Sequence, residues 1–295
     1  MNAGSARGAG ILILVLLAGV AAFLVLQALP ALTASAADLP GGRSIVGYIG
    51  PLLFGTVLAA VIALLIGTPL AVAIALFITF YAPRRLAAAL GYLVDLLADI
   101  PSVVYGFWGI FWLAPRLVPL YAWLEAHLGF IPLFAGPTSV TGKTMLTAGL
   151  VLAVMILPIV SAVSREVFRQ VPTLHQEAAL ALGATRWEMI RMAVLPYGRS
   201  GIIGGAMLGL GRALGETLAV AIVLSITGGV TFNLISSGNP STIAANIALN
   251  FPESSGLDVN ALIASGLALF VLTLAVNVFA RFVVNRRADF SGANS

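Results

Sequence analysis

The chain alternates between long apolar stretches and short polar ones. Six apolar runs stand out, over roughly 11–29, 52–80, 92–114, 145–163, 201–227 and 261–283. A bilayer core about 30 Å thick takes about 20 residues of helix at 1.5 Å each, so every run is long enough to cross. Between the runs, stretches such as Leu39-Pro40-Gly41-Gly42 and Ser237-Gly238-Asn239-Pro240 carry the residues of turns and loops. The pattern predicts an all-α membrane protein of six transmembrane helices.

Composition excludes the soluble alternatives. Of 295 residues, 60% are hydrophobic and 9% charged, where a soluble domain carries about 25% charged residues. No globular interior of this size hides so much apolar side chain, and a bilayer removes the need. Disorder, a coiled coil and a disulfide scaffold are excluded too, the last because there are no cysteines. With His127 and His175 the only histidines, no metal site, catalytic constellation or cofactor is expected. Gly142-Lys143-Thr144 resembles the end of a phosphate-binding loop, but Pro137 stands where that loop needs glycine, so ATP binding by this chain is rejected. Arg7 ahead of the first run, with Ala34-Ser35-Ala36 after it, resembles a secretory signal. The apolar core exceeds the 7–15 residues usual for a signal, which favours a retained helix.

Charge then sets the orientation. With the N-terminus in the cytoplasm, Arg7, Arg84, Arg85, Arg165, Arg169, Arg186, Arg191, Arg199, Arg281, Arg286 and Arg287 lie inside, and Arg43, Arg116 and Lys143 outside. The positive-inside rule therefore selects N-in, C-in. The net charge of +4 becomes a topology signal, and nucleic-acid binding is not expected.

Charges inside spans carry the functional argument, because an ionisable group at mid-bilayer costs about 2.5–3.5 kcal/mol. Arg212 and Glu216 fall in the fifth run, Asp95 and Asp99 in the third, each pair spaced i, i+4 on one helix face. Arg212 is expected about 16 Å and Asp99 about 10 Å deep from the same side, within an arginine's reach of each other. Two readings stay open: Arg212 and Glu216 neutralise each other and lock helices, or Arg212 faces a polar pathway and attracts an anion while carboxylates orient it. A proton relay through the four residues, as in a secondary transporter, is the rival class. Gly201, Gly205 and Gly209, and again Gly211 and Gly215, are spaced for close helix packing. Pro69, Pro101 and Pro158 are candidate interruptions of their spans.

The segment 164–200 is the most patterned. Thr173-Leu174-His175-Gln176 and Thr185-Arg186-Trp187-Glu188 both fit capping boxes, predicting two short helices, the first ended by Gly183 and the second closed by Pro196. Glu177-Ala178-Ala179, Gly183 and Leu195-Pro196 resemble the EAA loop of ATP-binding-cassette importer permeases, with Ala193 where that pattern has isoleucine. In that family the loop docks into the nucleotide-binding subunit, so the resemblance implies that Glu177, Ala178, Ala179, Gly183, Leu195 and Pro196 couple the chain to an ATPase. Ile100-Pro101-Ser102-Val103-Val104-Tyr105-Gly106, Gly211-Arg212-Ala213-Leu214-Gly215-Glu216-Thr217 and Asn239-Pro240-Ser241-Thr242-Ile243-Ala244-Ala245-Asn246 narrow this to a resemblance with PstC-type permeases of phosphate-specific transport systems, over roughly 50–285. Asp99 departs from the small residue expected before Ile-Pro.

The resemblance implies a subunit of an ATP-driven phosphate importer, or of an importer of another oxyanion, in the bacterial inner (plasma) membrane. Its implied partners are a PstA-type permease, two ATPase subunits, an extracytoplasmic phosphate-binding protein and the lipid bilayer. On this reading 1–50 is an N-terminal helix and outer loop, 51–285 the permease domain and 286–295 a cytoplasmic tail. The outer loop 228–260, with Glu253 and Asp258 and no Lys or Arg, is the expected docking surface for the binding protein.

Overall fold

Small residues let several helices of this chain approach closely, and many large apolar side chains remain on its outer surface. The computed structural model describes residues 3–227 and 229–288. Twelve α-helices are present among them: α1 (Ala3–Thr33), α2 (Ile45–Leu76), α3 (Arg84–Ala98), α4 (Ser102–Trp108), α5 (Ala114–Leu128), α6 (Met145–Arg169), α7 (Thr173–Ala181), α8 (Arg186–Met189), α9 (Leu195–Gly215), α10 (Leu218–Val223), α11 (Ile243–Asn250) and α12 (Leu257–Ala288). No strand occurs among the described residues; one isolated bridge joins Ile226 to Asn239. Part of the expected tail 286–295, from residue 289 on, lies outside the described residues.

Among the described residues, five helices are long and apolar enough to cross a membrane: Gly10–Thr33, Ile45–Tyr81, Ser102–Leu128, Met145–Arg169 and Leu257–Phe282. Two of the six expected spans are corrected. The third lies at 102–128 rather than 92–114, because helix geometry ends at Asp99 and Pro101 takes extended backbone (φ −57°, ψ 139°) before α4 begins. Proline has no N–H for a helical bond and disfavours helix in the residue before it. The fifth, expected over 201–227, starts earlier at Leu195, stops at Gly215, and resumes only for the short α10. Pro69 and Pro158, by contrast, sit inside uninterrupted α2 and α6.

α6 is the central post. It packs on α2, where Ile62, Ala63, Leu152 and Ile156 are buried together, and on α9. A Cβ at Gly201 would lie 2.2 Å from Val167 Cγ2, and one at Gly205 3.1 Å from Val163 Cβ. Those glycines let α9 close on α6, as their spacing predicts. In lipid the hydrophobic effect does not drive helices together, so close packing of this kind carries the association. Gly211 and Gly215 differ: nothing lies within 4 Å of a Cβ built there, so they serve no packing inside this chain. α1 lies along α12 through Ala28, Ala31, Ala261 and Ala264, with Asn260 Nδ2 donating to the Gln27 carbonyl (2.6 Å). Its side chains from Ile11 to Leu17 are exposed, as a lipid-facing helix requires.

Candidate translocation and coupling site

Where α9 stops, Glu216 leaves the helix with extended backbone (φ −68°, ψ 130°). Its buried carboxylate turns forward and accepts the Ala219 N–H (3.2 Å). The first N–H groups of a helix have no partner within it, so the carboxylate satisfies the start of α10. Glu216 therefore does not pair with Arg212, although i, i+4 spacing would allow it in an unbroken helix. Arg212 is half-buried on the last turn of α9 and makes no hydrogen bond or ion pair with any described residue. Beside it, Tyr105 of α4 is buried in one cluster with Ala213 and Leu214, and its hydroxyl donates to the Leu97 carbonyl (2.7 Å). A guanidinium carries five donors and no acceptor, so Arg212 offers an unsatisfied cationic fork at a helix break.

Neither Asp95 nor Asp99 forms an ion pair with Arg212. Both are exposed on α3 and its C-cap, outside the third span. Asp95 pairs instead with Arg165 of α6. The depth estimate assumed one straight helix from Tyr92 onward, and the chain breaks at Asp99–Pro101.

At the same end of α6, Val171, Met189, Ile190 and Val194 bury against Phe168 and Leu76, fixing an elbow of α7 and α8. α7 ends in a left-handed glycine, Gly183 (φ +86°), with Gly183 N–H bonded to the Leu180 carbonyl (3.0 Å) and Ala184 N–H to the Ala179 carbonyl (3.2 Å). This is the paired-bond C-terminus that glycine makes cheap. Thr185 and Glu188 form the expected capping box: the Thr185 hydroxyl accepts the Glu188 N–H (3.3 Å), and Glu188 Oε2 accepts the Thr185 N–H (2.7 Å). The Thr185 N–H first, and then the Thr185 hydroxyl, which donates to Oε2 (2.8 Å), hold the Glu188 carboxyl below its usual range.

The first box does not form. Pro172 is the N-cap of α7, and Gln176 Nε2 donates to the Val171 carbonyl (3.1 Å). Nor does Pro196 close α8. The chain passes through a π-helical turn, Ile190–Val194, into α9, where Pro196 occupies the first turn and needs no N–H partner. Glu177 and Ala178 are exposed, Ala179 and Leu195 half-buried against the elbow, and Gly183 and Pro196 exposed.

At the opposite end of α6 the segment 224–242 folds into the bundle. Asn239 is fully buried. Its Oδ1 accepts the Met145 N–H (3.0 Å), and its Nδ2 donates to the carbonyls of Ser236 (3.0 Å) and Ser225 (3.2 Å), with Lys143 at 3.4 Å. Ile243 N–H is received by the Thr56 hydroxyl of α2 (3.0 Å). The expected docking loop 228–260 is thus not a free loop: its middle, with Leu234, Ile235, Ser241, Thr242 and Ile243 buried, is core. Phe232, Leu249, Phe251 and their neighbours remain on the surface.

Residues 67–289 match the family described as binding-protein-dependent transport system inner membrane components. The chain belongs to this family. It is 47% identical over 97% of its length, and 91% of the relative's, to phosphate transport system permease protein PstC 2 of Mycobacterium tuberculosis. It is 40% identical to the phosphate transport system permease protein PstC of Mesorhizobium japonicum, over 97% of this chain and 90% of that one. Among solved structures, a chain of a bacterial alginate ABC transporter in complex with an alginate-pentasaccharide-bound periplasmic protein aligns with a TM-score of 0.59 at 18% identity, covering 96% of each chain. A chain of the inward-facing MetNI methionine ABC transporter aligns at 0.55 and 17%, covering 82% of this chain and 95% of that one. These two likenesses concern the fold.

For a multi-pass membrane component of this family, the elbow presents an exposed apolar surface. Leu174 (72% exposed) and Leu182 (90%) stand out from it beside Trp187 and Met192. Leu180 is exposed on the same elbow. Arg165 was missed as a functional candidate, having been counted only among the charges that set orientation.

Proposed function

We propose that this chain is one of two permease subunits of an ATP-driven inorganic phosphate importer in a bacterial plasma membrane, and is not itself the ATPase. The reading is supported by identity of 40–47% over most of the chain to relatives named phosphate transport system permeases. The observation that carries its mechanism is the unpaired, half-buried Arg212 at the break between α9 and α10. Phosphate near neutral pH bears between one and two negative charges, and a guanidinium meets two of its oxygens at once. Glu216 shapes the break by capping α10, which keeps Arg212 at its end. The pathway so formed uses Arg212 directly. Asp95 and Asp99 stand farther along α3, toward the cytoplasmic mouth.

The remaining half of the pathway comes from a PstA-type permease. Two nucleotide-binding subunits dock on Glu177–Gly183 and the exposed Leu174 and Leu182, and an extracytoplasmic phosphate-binding protein delivers cargo to the opposite end. The N- and C-termini lie in the cytoplasm, and the broken α9–α10 is the sixth membrane segment. The test is Arg212→Gln in the reconstituted complex. Phosphate uptake is lost while the subunits still co-purify in normal amounts; loss of assembly instead makes Arg212 a packing residue. Competition by arsenate, sulfate or molybdate against phosphate separates phosphate from another oxyanion.

A further inference from the structure

Arg165 lies four residues before the end of α6 and eight before α7 begins. It is more than nine-tenths buried, yet its charge partner, the Asp95 carboxylate, is 57% exposed. The guanidinium crosses α3 at Gly91, where a Cβ would come within 2.7 Å of Nη1. Its Nε and the buried hydroxyls of Ser161 and Ser164, close by on α6, have no hydrogen-bond partner. Buried ion pairs are poor devices for stability, because desolvation takes back most of what the attraction supplies. A buried arginine with one surface partner and an unfilled donor is better suited to holding two elements in register.

The elements it joins lead in both directions. From Arg165, α6 runs through Phe168 and Val171 into the elbow that carries α7. From Asp95, the last turn of α3 offers the Leu97 carbonyl to the Tyr105 hydroxyl (2.7 Å), and Tyr105 is buried in one cluster with Ala213, the residue after Arg212. α4 in turn packs on α10, a Cβ at Gly106 lying 3.1 Å from Ala219 Cα. We infer that Arg165 is a positioning residue: through Asp95 it ties movement of the α7 elbow to α3, Tyr105 and the pathway arginine. The unpaired Ser161 and Ser164 hydroxyls can accept from the guanidinium when Asp95 is released, which gives the contact a second arrangement. Coupling between distant sites needs an element of that kind, with two discrete states.

The inference rests on the ATP-coupled reading above, and the experiment separates the two. The complete importer, with binding protein and ATPase subunits, is reconstituted in vesicles, and phosphate moved per ATP hydrolysed is measured for the unmodified chain, Arg165→Gln, Asp95→Asn, the double variant and Arg165→Lys. Both single variants hydrolyse ATP at rates within about twofold of the unmodified complex but move at least fivefold less phosphate per ATP. The double variant is no worse than either single one, and Arg165→Lys recovers part of the ratio. Uptake and hydrolysis falling together, an unchanged ratio, or a double variant equal to the product of the singles overturns the role of Arg165. Should Arg165→Gln not assemble, Gly91→Ala displaces the guanidinium without changing charge, and it must lower the same ratio. Uptake by the unmodified complex without ATP overturns the coupled reading itself, and the role of Arg165 with it.

Discussion

Replacing Asn239 with alanine removes the side chain that ties segment 224–242 to the start of α6. Three of its bonds are short, to Met145 N–H and the Ser236 carbonyl at 3.0 Å and the Ser225 carbonyl at 3.2 Å; the contact to Lys143 at 3.4 Å is marginal. A buried hydrogen bond contributes about 1 kcal/mol net, so the three together are worth about 3 kcal/mol. That corresponds to about a hundredfold in the folded-to-unfolded ratio. The site is fully buried, so water does not replace the lost partners, and the Met145 N–H is left as an orphan at a helix start. Asn239→Asp keeps the acceptor for Met145 but sets a carboxylate against carbonyl oxygens. It is destabilising at neutral pH and recovers as acid protonates it. Reversible unfolding of the purified chain in mixed micelles by sodium dodecyl sulfate measures both. A loss below about 1 kcal/mol for Asn239→Ala refutes the claim that this segment is core held by Asn239.

Gly183→Ala meets no atom within 4 Å but forces a side chain onto a backbone with φ +86°. The cost of about 1 kcal/mol is conformational alone, and it shows as faster hydrogen exchange at the Gly183 and Ala184 amides, the two that close α7; unchanged protection there argues against the left-handed turn. Glu188 has a folded pKa lowered by its bonds to Thr185, so the capping box stabilises the elbow above the ordinary glutamate pKa of about 4.3 and is lost as pH falls through the lower folded value. Carbon-detected NMR titration of the Glu188 carboxyl checks the direction, and Thr185→Val returns the titration toward the ordinary value.

Local patterns were legible where the physics is local. Thr185 and Glu188 lie three residues apart with nothing else to bond, and the box forms as the spacing predicts. Thr173 and Gln176 have the same spacing, but Pro172 takes the cap position, and the Gln176 side chain finds the Val171 carbonyl instead. Gly201, Gly205 and Gly209 were readable as a packing face, since small residues four apart align whatever the partner. The pairing of charges was not readable: Asp95 and Arg165 are 70 residues apart, and only the crossing of α3 over α6 at Gly91 joins them.

The sequence by itself determined that this chain is a helical membrane protein, that an elbow with glycine at its bend projects from it, and that Arg212 is a charge requiring explanation. Those conclusions follow from run length, transfer cost and fixed spacing, which act within a few turns of one segment. Tertiary structure alone decided where helices stop, which acid neutralises which arginine, and that the segment around Asn239 is core rather than loop. Each of these depends on what another segment offers a backbone N–H or a guanidinium. At Glu216 a free helix start offered more than Arg212 did, and Arg212 was left unpaired.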